Sequence, residues 1–417
     1  MKAAKQAAIL ILVAVISSLV AYSVTSQLTP VQIQTITITK SVFVTESTPT
    51  VEDDYREAAE DLLKSVMKWV EETRGLKFKE NVSLKVLTRE WVIEHWGKGF
   101  LNLTEVKIEE TILKALFLIS PEFNLTKFKI GTSGYTVAAS SGNTVYVVRE
   151  YFDPYDEQRA GSILAHELTH ILQGEYFDLQ EPKTSDEKNA LLALVEGDAN
   201  LVGYLYFESH GGGARVRIRE NALDPMDALW YFPYMYGEAF VKYVYAKKGW
   251  SGVNELYNNP PTSTTEVLHP EKYLEGWKPL KASFQEKIEN GWILMLRDTL
   301  GEFFIRQMLR RHLSYQEANQ SAEGWSGDVI ELYEKNDTYL LRWKILWETE
   351  RDVEEFATSF EKILQRVGAM RLDENEWKTG FETLTLSRSG TCVTITITYT
   401  ANPSETASQA IITAVRF

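Results

Sequence analysis

Ala58, Leu62, Leu63, Val66, Met67 and Val70 recur every three or four residues, the period of a helix with one buried face, beginning near Asp53. Residues 80–150 carry no such long period and predict short strands mixed with short helices. The clearest strand is 144–149, where Val145 and Val147 alternate with Tyr146 and Val148. An apolar-periodic helix follows over 160–173, with Asp153 or Asp156 able to cap its start and Gly174 its end. Thr184, with Glu187 three residues later, opens a second helix in a capping-box pattern. That helix runs through Leu191, Leu192, Val195, Leu201 and Val202, and His210-Gly211-Gly212-Gly213 breaks it. Helical patterns return at 226–247 and 283–313, and strands reappear from Ile330. Residues 340–347 read as strand and 353–364 as helix, while 383–386 and 393–397 alternate with period two, as a hairpin should. The fold class expected is α+β: an α-rich domain followed by a smaller C-terminal α+β region.

The helix at 160–173 carries His166-Glu167-Leu168-Thr169-His170. Residues i and i+4 of a helix lie about 40° apart around the axis and ~6 Å along it, so both imidazoles face one point and can grip one metal ion. Glu167 stands between them, beside the place of a metal-activated water. The chain has six His and one Cys, so thiolate zinc sites and an intramolecular disulfide framework are excluded, and any metal site must use His and carboxylates. The second helix offers the third ligand, Glu196, in Ala193-Leu194-Val195-Glu196-Gly197-Asp198-Ala199-Asn200. A carboxylate inside an apolar helix is costly unless it is paired or bound to metal. Asp198 and Asn200 are candidates to orient a ligand His through its second nitrogen. Asn200 shares the face of Glu196; Asp198 has the better chemistry but points roughly 160° away.

His-Glu-x-x-His on one helix with Glu on the next resembles the gluzincin zinc metallopeptidases, the thermolysin-like clan. The metzincin pattern fails, because Gln173 and Tyr176 stand where it needs Gly and His. A nearer resemblance is to a little-characterised prokaryotic group with runs similar to 165–173, Phe177-Asp178-Leu179, 193–199, Leu268-His269-Pro270-Glu271-Lys272-Tyr273 and Gly324-Trp325-Ser326-Gly327-Asp328. It covers about residues 145–365. Thermolysin-like enzymes usually carry Asn before the third ligand and Asp four residues after it; here Val195 and Asn200 occupy those places. The resemblance implies a gluzincin-like fold, one catalytic Zn²⁺ on His166, His170 and Glu196, and peptide-bond hydrolysis with Glu167 as general base. It also implies a downstream His or Tyr that stabilises the oxyanion: His269 first, with Tyr234 and Tyr236 as rivals. The strand at 145–148 is expected to lie at a sheet edge and pair with an extended substrate.

Composition sets the address. Lys2 and Lys5 precede an uncharged stretch from Gln6 to Gln27, which reads as a signal peptide or a single-pass N-terminal membrane anchor. Either puts the rest of the chain outside the cytoplasm, and five N-x-[S/T] sequons, at Asn81, Asn102, Asn124, Asn319 and Asn336, suit that location. A net charge of −14 disfavours nucleic acid as a partner; the resemblance implies a peptide or protein substrate, and the N-terminal segment implies the membrane. The organisation expected is 1–27 signal or anchor, 28–52 Thr/Ser-rich linker, 53–282 metallopeptidase domain and 283–417 helical then α+β. Two other readings compete. A serine esterase would pair His210-Gly211-Gly212-Gly213 with a G-x-S-x-G motif, and the chain has none. A non-catalytic surface protein could hold zinc structurally, but it would have no need of Glu167.

Overall fold

A helix that carries ionisable groups on a buried face must be covered by other elements, and those elements define this fold. The computed structural model describes residues 50–96, 102–132, 136–213, 218–288, 291–380 and 382–400. The expected signal or anchor at 1–27 and residues 28–49 of the expected linker lie outside the described residues. In chain order the elements are α1 (Thr50–Arg74), β1 (Ser83–Leu87), α2 (Arg89–His95), α3 (Leu103–Ala115), α4 (Leu125–Thr132), β2 (Ala138–Ser141), β3 (Thr144–Val148), α5 (Glu157–Tyr176) and α6 (Ser185–Ser209). There follow α7 (Pro225–Asn258), α8 (Thr264–Leu268), α9 (Pro270–Leu274), β4 (Ile293–Asp298), α10 (Gly301–Arg310), α11 (Tyr315–Ala322), β5 (Trp325–Lys335) and β6 (Thr338–Trp347). The last are α12 (Glu350–Arg366), β7 (Met370–Asp373), β8 (Glu376–Lys378), β9 (Glu382–Ser389) and β10 (Cys392–Thr400). The protein is α+β.

The apolar face of α5 packs on α1 and on a three-stranded sheet. Leu164, Ala165 and Leu168 meet Leu63, Val66 and Val70 of α1 and Val145 and Val147 of β3 in one core. The sheet order is β1-β3-β2, with β3 parallel to β1 and antiparallel to β2. This corrects the expectation for 145–148: β3 is the central strand and both its edges are already paired, so it cannot receive a substrate strand. Asp156 caps α5 by accepting from the Arg159 N–H. Gly174 does not end the helix, which continues to Tyr176. Its last turn is held from outside: the Glu175 carboxylate accepts the Lys79 and Glu80 N–H groups and the Asn143 amide, and the Tyr176 hydroxyl donates to the Lys77 carbonyl.

The other side of α5 meets α6. Thr184 caps α6 through the Glu187 N–H, but Glu187 turns to the N–H of Lys183, so the capping box is only half formed. The run Ala190, Leu191, Leu192, Ala193, Leu194 and Val195 is buried without interruption, so every face of α6 is covered. By length and composition α6 could also cross a membrane, yet 83% of its apolar window is buried inside the fold. On its far side it packs on α7, whose Val241, Val244 and Phe240 join Leu194 and Leu201 in a second core. The two helices cross at glycines. A Cβ at Gly197 would lie 2.2 Å from the Gly237 carbonyl oxygen, and one at Gly237 equally close to that of Ala193. This crossing directly follows Glu196 in sequence.

The third core belongs to a seven-stranded sheet, β4-β5-β6-β10-β9-β8-β7, covered by α10, α11 and α12. The hairpin register pairs Leu384 with Ile397 and Leu386 with Ile395, as period two requires. Leu116, Leu118 and Leu125, from far earlier in the chain, join this core. The helical reading of 283–313 holds only for its second half. Residues 293–298 form β4, with Leu294 opposite Tyr333 and Leu296 opposite Leu332. A short apolar run has no period that separates helix from strand; the partner strand decides.

Candidate metal centre

His166 and His170 stand one turn apart on α5, with ring centroids 4.7 Å apart and planes nearly perpendicular. Their Nε2 atoms are 3.0 Å apart. Oε2 of Glu196 on α6 lies 3.4 Å from the first and 3.6 Å from the second. All three residues are buried, and together they form a group able to hold a metal ion. Three atoms at these separations lie on a circle of radius about 1.9 Å, so an ion ~2.0–2.1 Å from each sits just off their plane, at the usual N/O ligand distance. Neither Glu196 oxygen makes a hydrogen bond, although the residue is fully buried. Among the described residues no other buried carboxylate leaves both oxygens so. A bound cation would satisfy both.

The electrostatics agree. Burial alone would raise the Glu196 pKa, but His170 and His166 outweigh it and hold it below the usual carboxylate range. Burial opposes charge on His170, yet Glu196 and Glu167 push the ring up to about 9. Burial raises the Glu167 carboxyl against the pull of both His residues. The site thus attracts positive charge. Glu167 Oε2 is buried without a partner, and the Ser140 side chain of β2 reaches the same carboxylate.

The groups behind the ligands differ from those expected. The Nδ1–H of His170 donates to Gln173 Oε1 at 2.8 Å, which fixes the tautomer and leaves Nε2 as a lone-pair donor. The Gln173 amide nitrogen donates in turn to the Val195 carbonyl at 2.9 Å and to Asp198 Oδ2 at 3.4 Å. Asp198 also accepts a bidentate fork from Arg74 of α1, both bonds 3.0 Å, and the Tyr257 hydroxyl at 2.8 Å. It therefore acts one step removed from the ligand His, through Gln173. Asn200 is buried and enters none of these bonds. Gln173 was legible in principle, being three residues after His170 on the same face; Arg74, 124 positions before Asp198, was not.

Two of the downstream candidates, His269 and Tyr236, lie in another network. His269 Nε2 pairs with Glu302 at 3.1 Å, and Glu302 also holds Arg306 at 3.1 Å. The Tyr236 hydroxyl donates to Glu220, which also accepts from Gln307 and Arg306. Tyr234 is buried in the second core. None of the three belongs to the metal-ligating group.

Comparison with known proteins adds little to the site. Residues 294–410, the seven-stranded sheet region, match a family described as "Domain of unknown function (DUF8575)". No curated protein matches the chain. Among solved structures, the crystal structure of "a putative hydrolase with a novel fold from Chloroflexus aurantiacus" is similar over 62% of this chain and 96% of its own, with 16% identity and a TM-score of 0.33. A likeness that slight carries no argument about function.

Proposed function

We propose that the protein is a zinc-dependent peptidase working outside the cytoplasm. The observation that carries this reading is the buried triangle of His166, His170 and Glu196 donor atoms, with Glu196 free of hydrogen bonds and the Glu167 carboxylate adjoining it. Two imidazoles and a carboxylate are a donor set suited to catalytic zinc, with room for a further ligand. When bound, zinc supplies Lewis acidity: it makes water nucleophilic near neutral pH and polarises a carbonyl. Glu167 would take the proton of the attacking water at Oε2 and return it to the leaving amine. Ser140 steadies that carboxylate, and Gln173 keeps His170 in the tautomer that presents Nε2. The likeness to gluzincins in the His166–His170 and Glu196 motifs supports the same reading.

A structural zinc site has no use for a buried carboxylate at 167, so the non-catalytic alternative leaves that residue unexplained. The acidic chain suits a peptide or protein substrate rather than nucleic acid, and the N-terminal apolar segment would place the domain outside the membrane, anchored or released. The test is elemental analysis of the purified protein with digestion of a broad peptide pool by wild type and Glu167→Gln. About one zinc per chain, and cleavage lost only in Glu167→Gln, is expected. Zinc with no cleavage would favour the structural alternative; absence of zinc would sink both.

A further inference from the structure

A cavity of about 880 Å³ lies apart from the metal centre, between the segment after α3, the start of α7, the end of α10 and the β9–β10 end of the large sheet. None of the metal-centre residues lines it. The volume is within the range of small-molecule sites. Its walls include Phe117, Phe123, Phe128, Met226 and Tyr399. Phe117 adopts φ +60°, where a bulky residue is rare, and its carbonyl accepts from His312 Nε2 at 2.8 Å. An aromatic side chain is thus held at the wall in a conformation that glycine would adopt without strain.

The charges around the cavity are uneven. Its two cations are engaged: Lys114 with Glu110 at 2.7 Å and Arg311 with Asp224 at 2.7 Å. Apart from the exposed Glu122, two of its carboxyls are not matched in this way. Asp227 makes no hydrogen bond and no ion pair among the described residues. Glu382, 8% exposed, has the Thr379 hydroxyl as its side-chain partner and no cation among the described residues. Burial pushes the Glu382 carboxyl up to about 7, with no charge opposing it; burial and Asp224 raise the half-buried Asp227, which Arg311 offsets only in part. A buried carboxyl without a countercharge is costly, and a ligand cation would relieve it. Aromatic walls add cation–π attraction and apolar contact.

We propose that this cavity binds a small arylalkylamine, its ammonium group against Glu382 and Asp227 and its aromatic body among Phe117, Phe123 and Phe128. The test is isothermal titration of the purified full chain with three probes of one shape: 4-phenylbutylamine, 4-phenylbutanol and 4-phenylbutanoate. The amine should bind one per chain, at least ~10-fold more tightly than the alcohol, and the acid should not bind. Glu382→Gln should abolish the preference for amine over alcohol and leave alcohol binding unchanged. If that variant does not fold, Asp227→Asn reads the same preference. Equal affinity for amine and alcohol, preference for the acid, or an amine preference that survives both substitutions would overturn the proposal.

Discussion

Glu196 and Asp328 are both buried carboxylates, and they are treated in opposite ways. Asp328, in the large sheet, accepts the Leu300 and Gly301 N–H groups and the indole N–H groups of Trp325 and Trp343, at 2.9–3.1 Å. Every bond it makes is directional and local to the fold; it ties α10 to β5 and β6. Glu196 makes no hydrogen bond and instead faces two imidazoles. The pKa directions follow. Neutral donors do not fully offset burial, so Asp328 is pushed up to about 6. The two imidazoles more than offset burial at Glu196, which is lowered. A saturated buried carboxylate serves the fold. One left open toward a pair of His could hold a metal ion.

The contrast can be broken most directly at the ligands. His170→Ala should reduce zinc from about one per chain to near none, whereas Asp328→Asn should keep the metal; elemental analysis of both checks this. Glu167→Gln should keep the metal and thermal midpoint while peptide hydrolysis falls by a factor on the order of 10² or more. Equal cleavage by the variant would mean that Glu167 is not the base. Asp328→Asn should instead lower stability by about 2–4 kcal/mol in denaturant unfolding, because an amide presents N–H groups to donors.

The smaller effects sharpen the comparison. Gln173→Leu should weaken metal affinity roughly 10–100-fold by releasing the His170 ring; an unchanged affinity in a chelator competition would remove Gln173 from the site. A pH effect of definite sign should appear on the Asp328 side. Its folded pKa is raised, so its extra stability is present below the unfolded value and is lost as pH rises through about 6. The stability gap between wild type and Asp328→Asn should therefore narrow between pH ~4 and ~7, as read by unfolding curves at the two ends. A gap that widens would show that its four donors outweigh burial.

Local pattern was enough wherever the chain's own period carried the information. The α5 and α6 helices, the Asp156 and Thr184 caps, the β9–β10 hairpin and α12 are all legible, because helix and strand periods sort side chains onto faces before any partner is chosen. The His166–His170 pair is legible for the same reason: a helix alone brings i and i+4 together. Glu196 could be picked as a carboxylate in an apolar run, but its position against the pair depends on how α6 folds back on α5. Three things needed the tertiary structure. Residues 293–298 became a strand because β5 was available to pair with them. β3 became a central strand because β1, 61 residues earlier, lies beside it. Asp198 was tied to Arg74 and linked to His170 through Gln173, because α1 packs against α5 and buries its guanidinium there. Periodicity acts within a few residues and is written in the chain, whereas the partner of a buried charge is chosen by which distant segments close around it.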